Sequence, residues 1–174
     1  LIKISHVGAC SSDIARGFSN GAYFYPLVMG HEAMGYVEKT DSSILNSGDK
    51  VVIFPLLPCF KCISCKTKKY QTCDDYSYYG SRRDGAYQEY LLVKNWNLLK
   101  LPRAINNADA ALVEPMAVMV HVKDIIRKIY KNEKEFKSAN GAIIGGGFLS
   151  LILSDILTTI GVKPPDVFDR NDYK

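Results

Sequence analysis

Residues 59–73 read CFKCISCKTKKYQTC, a short segment that contains four cysteines. These are Cys59, Cys62, Cys65 and Cys73, with two, two and seven residues between them. Such turn-sized gaps allow one stretch of chain to surround a tetrahedral ion with four thiolates. Proline, serine and lysine around the cysteines are typical of an irregular, solvated loop. The segment therefore predicts a structural zinc site in a lobe at residues 58–74.

Two other uses of the four cysteines are possible. Disulfides form mainly in secreted proteins, and the chain opens without a basic and apolar signal segment, so a reducing cytoplasm is the expected location. An iron–sulfur cluster usually has proline after its last cysteine, whereas Asp74 follows Cys73 here. Zinc remains the prediction for this lobe.

The composition describes an ordinary globular protein that could be one domain or parts of two. The chain has 174 residues, a net charge of +4, 47% hydrophobic residues and 23% charged residues. Its lysines and arginines are scattered, which gives no support to nucleic-acid binding. The longest apolar stretch, residues 142–153, is interrupted by glycine and serine and is too short for a membrane span.

The first hundred residues predict short strands separated by turns. Runs of apolar and β-branched residues occur at residues 35–38, 49–53, 87–93 and 97–101. Strand-like alternation is already under way at Leu1, so the chain is expected to be a fragment of something longer. The fold class predicted for this part is a β-rich, barrel-like domain with the cysteine lobe inserted.

After Asn106 the pattern changes to alternating helix and strand. Apolar spacing predicts a helix over residues 108–130, and residues 131–140 form a polar connector. A buried-type strand at 142–144 then runs into three glycines, a helix over 148–160 and a second strand at 166–169. Strand, glycine turn, helix and strand make one β-α-β unit, the start of a dinucleotide-binding domain.

The glycine turn predicts a nucleotide cofactor. Gly145 permits a tight turn and Gly147 permits close approach of a pyrophosphate, while Ser150 stands where a third glycine is usual. Asp169 ends the second strand, where a carboxylate would bond the ribose hydroxyls and favour NAD over NADP. The adjacent Arg170 weakens that preference. A glycine-rich loop without a ligand is the alternative.

A second set of metal-ligand residue types is spread along the chain. Cys10 precedes Ser11-Ser12-Asp13, His31-Glu32 follows a glycine, and Glu114 precedes the long helix. A thiolate, an imidazole and a carboxylate can bind zinc and leave one position open for substrate. The alternatives are a cysteine that fills the core and a structural histidine.

The order of these motifs resembles the zinc-dependent medium-chain dehydrogenases, and within them the polyol dehydrogenases. The segments that carry the resemblance are residues 10–13, 30–32, 48–51, the cysteine lobe, residues 55–60, 80–90, 114–115 and the glycine turn. The resemblance implies a GroES-like β-barrel catalytic domain at residues 1–112, followed by part of an NAD-binding Rossmann domain at residues 113–174.

The resemblance also implies roles for individual residues. Cys10, His31 and Glu114 would hold a catalytic zinc ion, and Glu32 would be an alternative ligand or a partner of bound water. Ser12 would relay the alcohol proton, and Asp13 would fix the His31 tautomer. A simple turn or helix cap is the alternative for the last two residues.

The function implied is hydride transfer from a polyol or sugar-alcohol phosphate to NAD, by a protein that forms a homo-oligomer in its full-length form. Arg82 and Arg83 lie in a glycine-flanked loop, and we expect one of them to meet the substrate phosphate; the alternative is pairing with Asp84 at the surface. As given, the chain is expected to be inactive as a dehydrogenase. The alternatives are a truncated zinc-binding module without turnover and a zinc-free quinone reductase relative.

Overall fold

The computed structural model describes residues 1–171, and the chain divides into two compact units, Leu1–Glu114 and a second that starts at Pro115. The predicted second domain extends to Lys174, so its last three residues lie outside the described part. Within that part, every helix is too short or too polar to cross a membrane.

The first unit is built mainly from strands, as its sequence predicts. The strands are β1 (Ile2–Gly8), β2 (Glu32–Val37), β3 (Lys50–Ile53), β4 (Leu56–Leu57), β5 (Ser77–Tyr78), β6 (Tyr90–Leu91) and β7 (Leu98–Lys100). Its helices are α1 (Ser11–Phe18), α2 (Ile63–Lys66) and α3 (Asn107–Ala111). Five strands pair antiparallel in the order β6-β1-β2-β3-β7, and β4 pairs with β5.

Strand β2 is the centre of the first unit because both of its faces are covered. Its side chains alternate between two apolar clusters, with Ala33 and Val37 in one and Met34 in the other. Met34 packs with Val52 of β3 and Ala110 of α3. Burial of each large side chain in such a core stabilises the fold by about 1.5–3 kcal/mol. The start of β2 is thereby held in place next to His31.

The buried side chain of Asn97, the residue before β7, bonds the segment that leads into the cysteine lobe. Asn97 is fully buried, and its Nδ2 donates hydrogen bonds to the carbonyl oxygens of Phe54 at 2.5 Å and Leu56 at 2.7 Å. The N–H of Phe54 donates in return to the carbonyl oxygen of Asn97 at 2.8 Å. These bonds satisfy backbone groups that would otherwise be buried without partners.

The second unit contains the predicted β-α-β arrangement. Its elements are α4 (Val113–Arg127), which begins at the end of the first unit, α5 (Glu133–Ser138), β8 (Ala142–Ile144), α6 (Phe148–Thr159) and β9 (Asp166–Phe168). Strands β8 and β9 pair in parallel. Met119, Phe136 and Leu157 belong to the buried core of this unit. Ile144 is 92% exposed, since the described sheet has only these two strands.

Three elements differ from the sequence prediction. Of the strand predicted at residues 87–93, only Tyr90–Leu91 pairs as β6, because the N–H of Tyr87 donates to Met29. The polar connector contains α5, whose first turn is capped by Asn132. The long helix predicted at residues 108–130 is divided at Leu112 into α3 and α4.

The Asn97 contacts predict a large stability effect for a single amide. In Asn97→Ala, the two buried carbonyl oxygens lose their donor, so the free energy of unfolding should fall by about 3 kcal/mol. The measurement is urea unfolding of the zinc-loaded protein. The control is Asn95→Ala, since Asn95 bonds Asp41 at the exposed surface and its loss should cost less than about 0.5 kcal/mol. Equal losses in the two variants would contradict the assigned role of Asn97.

Candidate functional site

The four lobe cysteines converge with the geometry of a tetrahedral metal site. Their Sγ atoms all lie within 4.8 Å of one another, and none forms a disulfide. The Cys59–Cys65 and Cys62–Cys73 pairs are each 3.9 Å apart. A tetrahedron with metal–sulfur bonds of about 2.3 Å has edges of about 3.8 Å. The four thiols thus fit one zinc ion without rearrangement.

The protonation of the lobe thiols also fits a cation. Backbone N–H groups, led by that of Cys65, lower the pKa of Cys62 to about 6. Burial raises the pKa of Cys65 to about 12, with neighbouring thiols adding to the rise. Only the thiolate form of cysteine binds a metal ion. Four thiolates this close would repel one another unless a positive ion lay among them. The lobe is therefore preorganised for a metal ion.

Aromatic contacts hold the cysteine lobe against the rest of the first unit. Phe60, between two of the cysteines, packs edge-to-face on Trp96 with ring centroids 5.0 Å apart. Tyr70 of the lobe packs on the same indole at 5.5 Å, and Phe54 lies on it at 5.4 Å. Trp96 is next to the buried Asn97. The position of the lobe is thus linked to the sheet through one aromatic cluster.

A second group of metal-ligand atoms comes from two distant stretches of chain. The ligand atoms of Cys10, His31 and Glu32 all lie within 4.8 Å of one another. Cys10 immediately precedes α1. Glu32 is the first residue of β2, and His31 immediately precedes it. A side chain on Gly8 would overlap the Glu32 carboxylate, so glycine there leaves room for this group. Thiolate, imidazole and carboxylate are together a suitable donor set for zinc.

Asp13 is the buried carboxylate behind this group. It is 5% exposed, and its Oδ1 lies 3.5 Å from Nδ1 of His31. It accepts hydrogen bonds from the Tyr87 hydroxyl at 3.0 Å, the Arg16 guanidinium at 3.2 Å and the N–H of Cys10 at 3.3 Å. Nδ1 of His31 has no hydrogen-bond partner among residues 1–171, and the Asp13 carboxylate, 3.5 Å away, is positioned to orient the ring.

Glu114 lies outside the three-residue group and has a different partner. Its Oε1 accepts a hydrogen bond from the Tyr78 hydroxyl at 3.0 Å. The ring of Tyr78 is 5.9 Å from that of His31, in an edge-on arrangement. Glu114 is therefore close to the site, where it would act as a second carboxylate. Its predicted role as a direct metal ligand stays a prediction.

The carboxyl groups around His31 lie in an environment that disfavours their charge. Burial raises the pKa of Glu32, and the charge of Asp13 raises it further. Burial also raises the pKa of Glu114, despite the hydrogen bond from Tyr78. Several partly buried acidic groups around one imidazole are stabilised when a cation binds among them. The residues present fit a metal ion at this site.

Ser12 lies beside the same group with one defined partner. Its Oγ accepts a hydrogen bond from the Arg16 guanidinium at 2.8 Å. A hydroxyl has two acceptor positions and one proton, so Ser12 can still accept one proton and donate another. The predicted relay role is compatible with this geometry and stays a prediction.

The glycine turn of the second unit has the features that a pyrophosphate needs. Gly145 has a φ of +102°, a conformation that side chains rarely adopt, and added Cβ atoms at Gly145 or Gly147 would meet nothing within 4 Å. Gly147 precedes α6, whose first turn has no side-chain cap. Asp169 accepts a hydrogen bond from the N–H of Gly146 at 2.8 Å, so its carboxylate lies beside the turn.

Three residues of the site were missed by the sequence analysis. Arg16 could have been found, because it lies three and four residues after Asp13 and Ser12 on a helix, where side chains meet. Tyr87 lies 74 residues from Asp13 in the chain, and no local pattern signals that contact. Tyr78 reaches the site from β5, 36 residues before its partner Glu114, and no local pattern signals that contact either.

Comparison with known proteins gives relatives of one kind. The chain is 36% identical over 175 residues to galactitol 1-phosphate 5-dehydrogenase of Escherichia coli (strain K12). This alignment covers 99% of this chain and 49% of the relative. Sorbitol dehydrogenase of Bacillus subtilis (strain 168) is 31% identical over 129 residues, 70% of this chain and 36% of that protein.

A solved structure agrees with the sequence matches. The crystal structure of galactitol-1-phosphate dehydrogenase from Escherichia coli superposes with a TM-score of 0.88 and 35% identity, over 98% of this chain and 48% of that one. The chain thus spans about half the length of these relatives. A family model described as the alcohol dehydrogenase GroES-like domain matches residues 1–103. The resemblance noted in the sequence is confirmed, and the chain belongs to the alcohol dehydrogenase GroES-like domain family.

Proposed function

We propose that the whole protein is a zinc- and NAD-dependent dehydrogenase that oxidises a polyol or a sugar-alcohol phosphate. The observation that carries the proposal is the meeting of Cys10, His31 and Glu32 beside the half-buried Glu114. The relatives named above, a galactitol 1-phosphate 5-dehydrogenase and a sorbitol dehydrogenase, support the substrate class.

The reaction removes a hydride from the carbinol carbon and a proton from its hydroxyl group. Zinc held by Cys10, His31 and a carboxylate would supply a Lewis acid that lowers the pKa of the substrate hydroxyl. Of the two carboxylates, the geometry favours Glu32, because its oxygen lies within 4.8 Å of the other two ligand atoms. Glu114 would stay bonded to Tyr78 as the second, outer carboxylate.

Three residues of α1 would support this chemistry. Asp13 would hold the His31 ring through Nδ1 and so fix the tautomer that faces the metal. Ser12 would accept the proton from the substrate and release its own proton toward solvent. The Arg16 guanidinium, bonded to both residues, would fix their side chains relative to each other.

The second unit would supply the cofactor. Gly145 and Gly147 would let the pyrophosphate approach the start of α6, where free N–H groups favour an anion. Asp169 would bond the adenosine ribose hydroxyls, and its charge would repel the extra phosphate of NADP. On this proposal, residues 1–112 form the zinc domain, with its lobe at 58–74, and residues 113–174 form part of an NAD-binding domain.

The lobe cysteines would hold a second zinc ion with a structural role. Four thiolates leave no open position, so this ion would stabilise the lobe without taking part in catalysis. We further propose that the protein is cytoplasmic and a homo-oligomer, and that it acts on a small molecule with no nucleic acid or membrane as a partner.

A zinc-binding module without turnover is the second candidate function. It is favoured by one observation: the described part of the second unit, residues 115–171, contains a sheet of only two strands. One β-α-β unit does not form a complete cofactor crevice. The two candidates differ in hydride transfer, whereas both predict a filled cysteine lobe.

The proposed ligand set predicts which of the two carboxylates, Glu32 or Glu114, contributes more to metal affinity. Replacing Glu32 with Gln should lower the affinity of the Cys10 site for Co²⁺ by at least about 100-fold, because a ligand is lost. Replacing Glu114 with Gln should lower it less. The measurement is a Co²⁺ titration of each variant after its cysteine lobe has been filled with zinc. The signal is the charge-transfer absorption between Co²⁺ and the Cys10 thiolate.

Two control variants separate the sites in this titration. Cys73→Ser should remove the lobe ion only, and Cys10→Ser should abolish the cobalt signal of the second site. If Glu114→Gln causes the larger loss, the third ligand is Glu114 and the assignment of Glu32 is wrong.

The proposed relay predicts a kinetic effect for Ser12. In the whole protein, Ser12→Ala should lower kcat by about 100-fold, because the substrate proton loses its acceptor. NADH formation measures the rate, and the exposed neighbour offers a control in Ser11→Ala, which should retain activity. A Ser12→Ala protein as active as Ser11→Ala would refute the relay, and a complete lack of NADH formation by the parent protein would favour the inactive module.

A further inference from the structure

The guanidinium of Arg82 is held between two aromatic rings at the surface of the first unit. Its Cζ lies 4.5 Å from the ring centroid of Tyr23 and 4.3 Å from that of Tyr76. These two cation–π contacts restrain the charged group between the rings. Arg82 and Tyr23 are exposed, with 65% of Tyr23 accessible, so solutes can reach the guanidinium.

The loop that carries Arg82 is rigid. The N–H of Arg82 donates to the carbonyl oxygen of Tyr78 at 2.9 Å, and the N–H of Gly80 donates to that of Arg83 at 2.8 Å. Gly80, with a φ of +78°, packs so closely on Gly30 that an added Cβ would meet the carbonyl oxygen of Gly30 at 2.6 Å. The position of Arg82 is therefore fixed against the segment that leads into His31.

Arg82 has no anionic partner among residues 1–171, where no carboxylate oxygen lies within 4.0 Å of its nitrogens. The surface pairing with Asp84 that the sequence left open is not formed among the described residues; the Asp84 carboxylate accepts the N–H of Val28 at 2.9 Å instead. A fixed, charged guanidinium without a carboxylate is suited to bidentate binding of an oxyanion.

The stacked group lies next to the candidate metal site. Tyr76 immediately precedes β5 and Tyr78 ends it, so the two residues lie about 7 Å apart along the chain. Tyr78 contacts His31 and Glu114, and Tyr76 contacts Arg82. A molecule a few carbon atoms long could therefore reach from the metal site to the guanidinium.

Arg83 differs from its neighbour in its ring contacts and in the cleft that it lines. Its guanidinium lies over one ring only, that of Tyr79, at 5.5 Å. It lines a separate cleft with Leu91 and Leu98, away from the stacked tyrosines. Arg83 thus has the same charge and nearly the same sequence position, but a different location in the fold.

We propose that Arg82, held between Tyr23 and Tyr76, binds the phosphate of a sugar-alcohol phosphate and so selects phosphorylated over free polyols. This inference rests on the proposed function, because it assigns a specificity residue to the same site. A monoester dianion bound edge-on to the guanidinium would extend its polyol chain toward His31. Tyr23 and Tyr76 would act as positioning residues, since they hold the guanidinium rather than the phosphate.

The test is a calorimetric titration of the zinc-loaded protein with three probes: a hexitol 1-phosphate, the same hexitol without phosphate, and inorganic phosphate. The unmodified protein should bind the hexitol 1-phosphate at least about tenfold more tightly than the free hexitol. Arg82→Gln should remove this preference, and Tyr23→Leu should reduce it. Arg83→Gln is the matched control and should keep it. Zinc content establishes that each variant is folded.

Two results would overturn the inference. One is equal affinity of Arg82→Gln and the unmodified protein for the hexitol 1-phosphate. The other is binding of inorganic phosphate with no preference for the phosphorylated hexitol over the free one. The titration needs neither NAD nor turnover, so it is separable from the proposed function. Hydride transfer without phosphate preference refutes only this inference, and preference without hydride transfer refutes only the proposed function.

Discussion

The candidate site depends on the buried carboxylate of Asp13. A charge that is only 5% exposed must be compensated, and here the compensation comes from the Arg16 guanidinium, the Tyr87 hydroxyl and the N–H of Cys10. These donors belong to α1 and to the loop before β6, so the carboxylate joins two segments that are far apart in sequence. It also faces Nδ1 of His31 at 3.5 Å. The Asp13 network therefore links the start of α1, next to Cys10, to the loop before β6 and to His31.

The two predicted metal sites differ in how far their residues are separated in the chain. The lobe cysteines lie within fifteen residues, so their spacing alone predicts a tetrahedral site. Cys10 and His31 meet only because β1 pairs with β2, which no short-range pattern specifies. The choice between Glu32 and Glu114 was also open in the sequence. It depends on the Tyr78 hydroxyl, which bonds Glu114.

The fold was predictable where local patterns agree with the tertiary contacts. The β-α-β unit is an example, since its glycine turn, apolar helix and flanking strands are all adjacent in sequence. The sequence did not indicate that only Tyr90 and Leu91 of residues 87–93 would pair as a strand. The N–H of Tyr87 donates to the carbonyl oxygen of Met29, a contact that no local pattern signals. Helix α5 was overlooked as a polar connector, although Asn132 with an acidic first turn is an ordinary helix start. Arg82 was noted for its charge, whereas its ring partners Tyr23 and Tyr76 come from separate loops.

We propose that Cys10, His31 and a carboxylate bind one metal ion in addition to the ion in the cysteine lobe. Crystallography of the zinc-loaded protein with anomalous data at the zinc edge can locate both ions. We expect two anomalous peaks, one surrounded by four sulfur atoms and the other about 2.3 Å from Cys10 Sγ and about 2.0 Å from a His31 nitrogen. A single peak in the lobe, with Cys10 and His31 bound to no metal, would contradict this proposal.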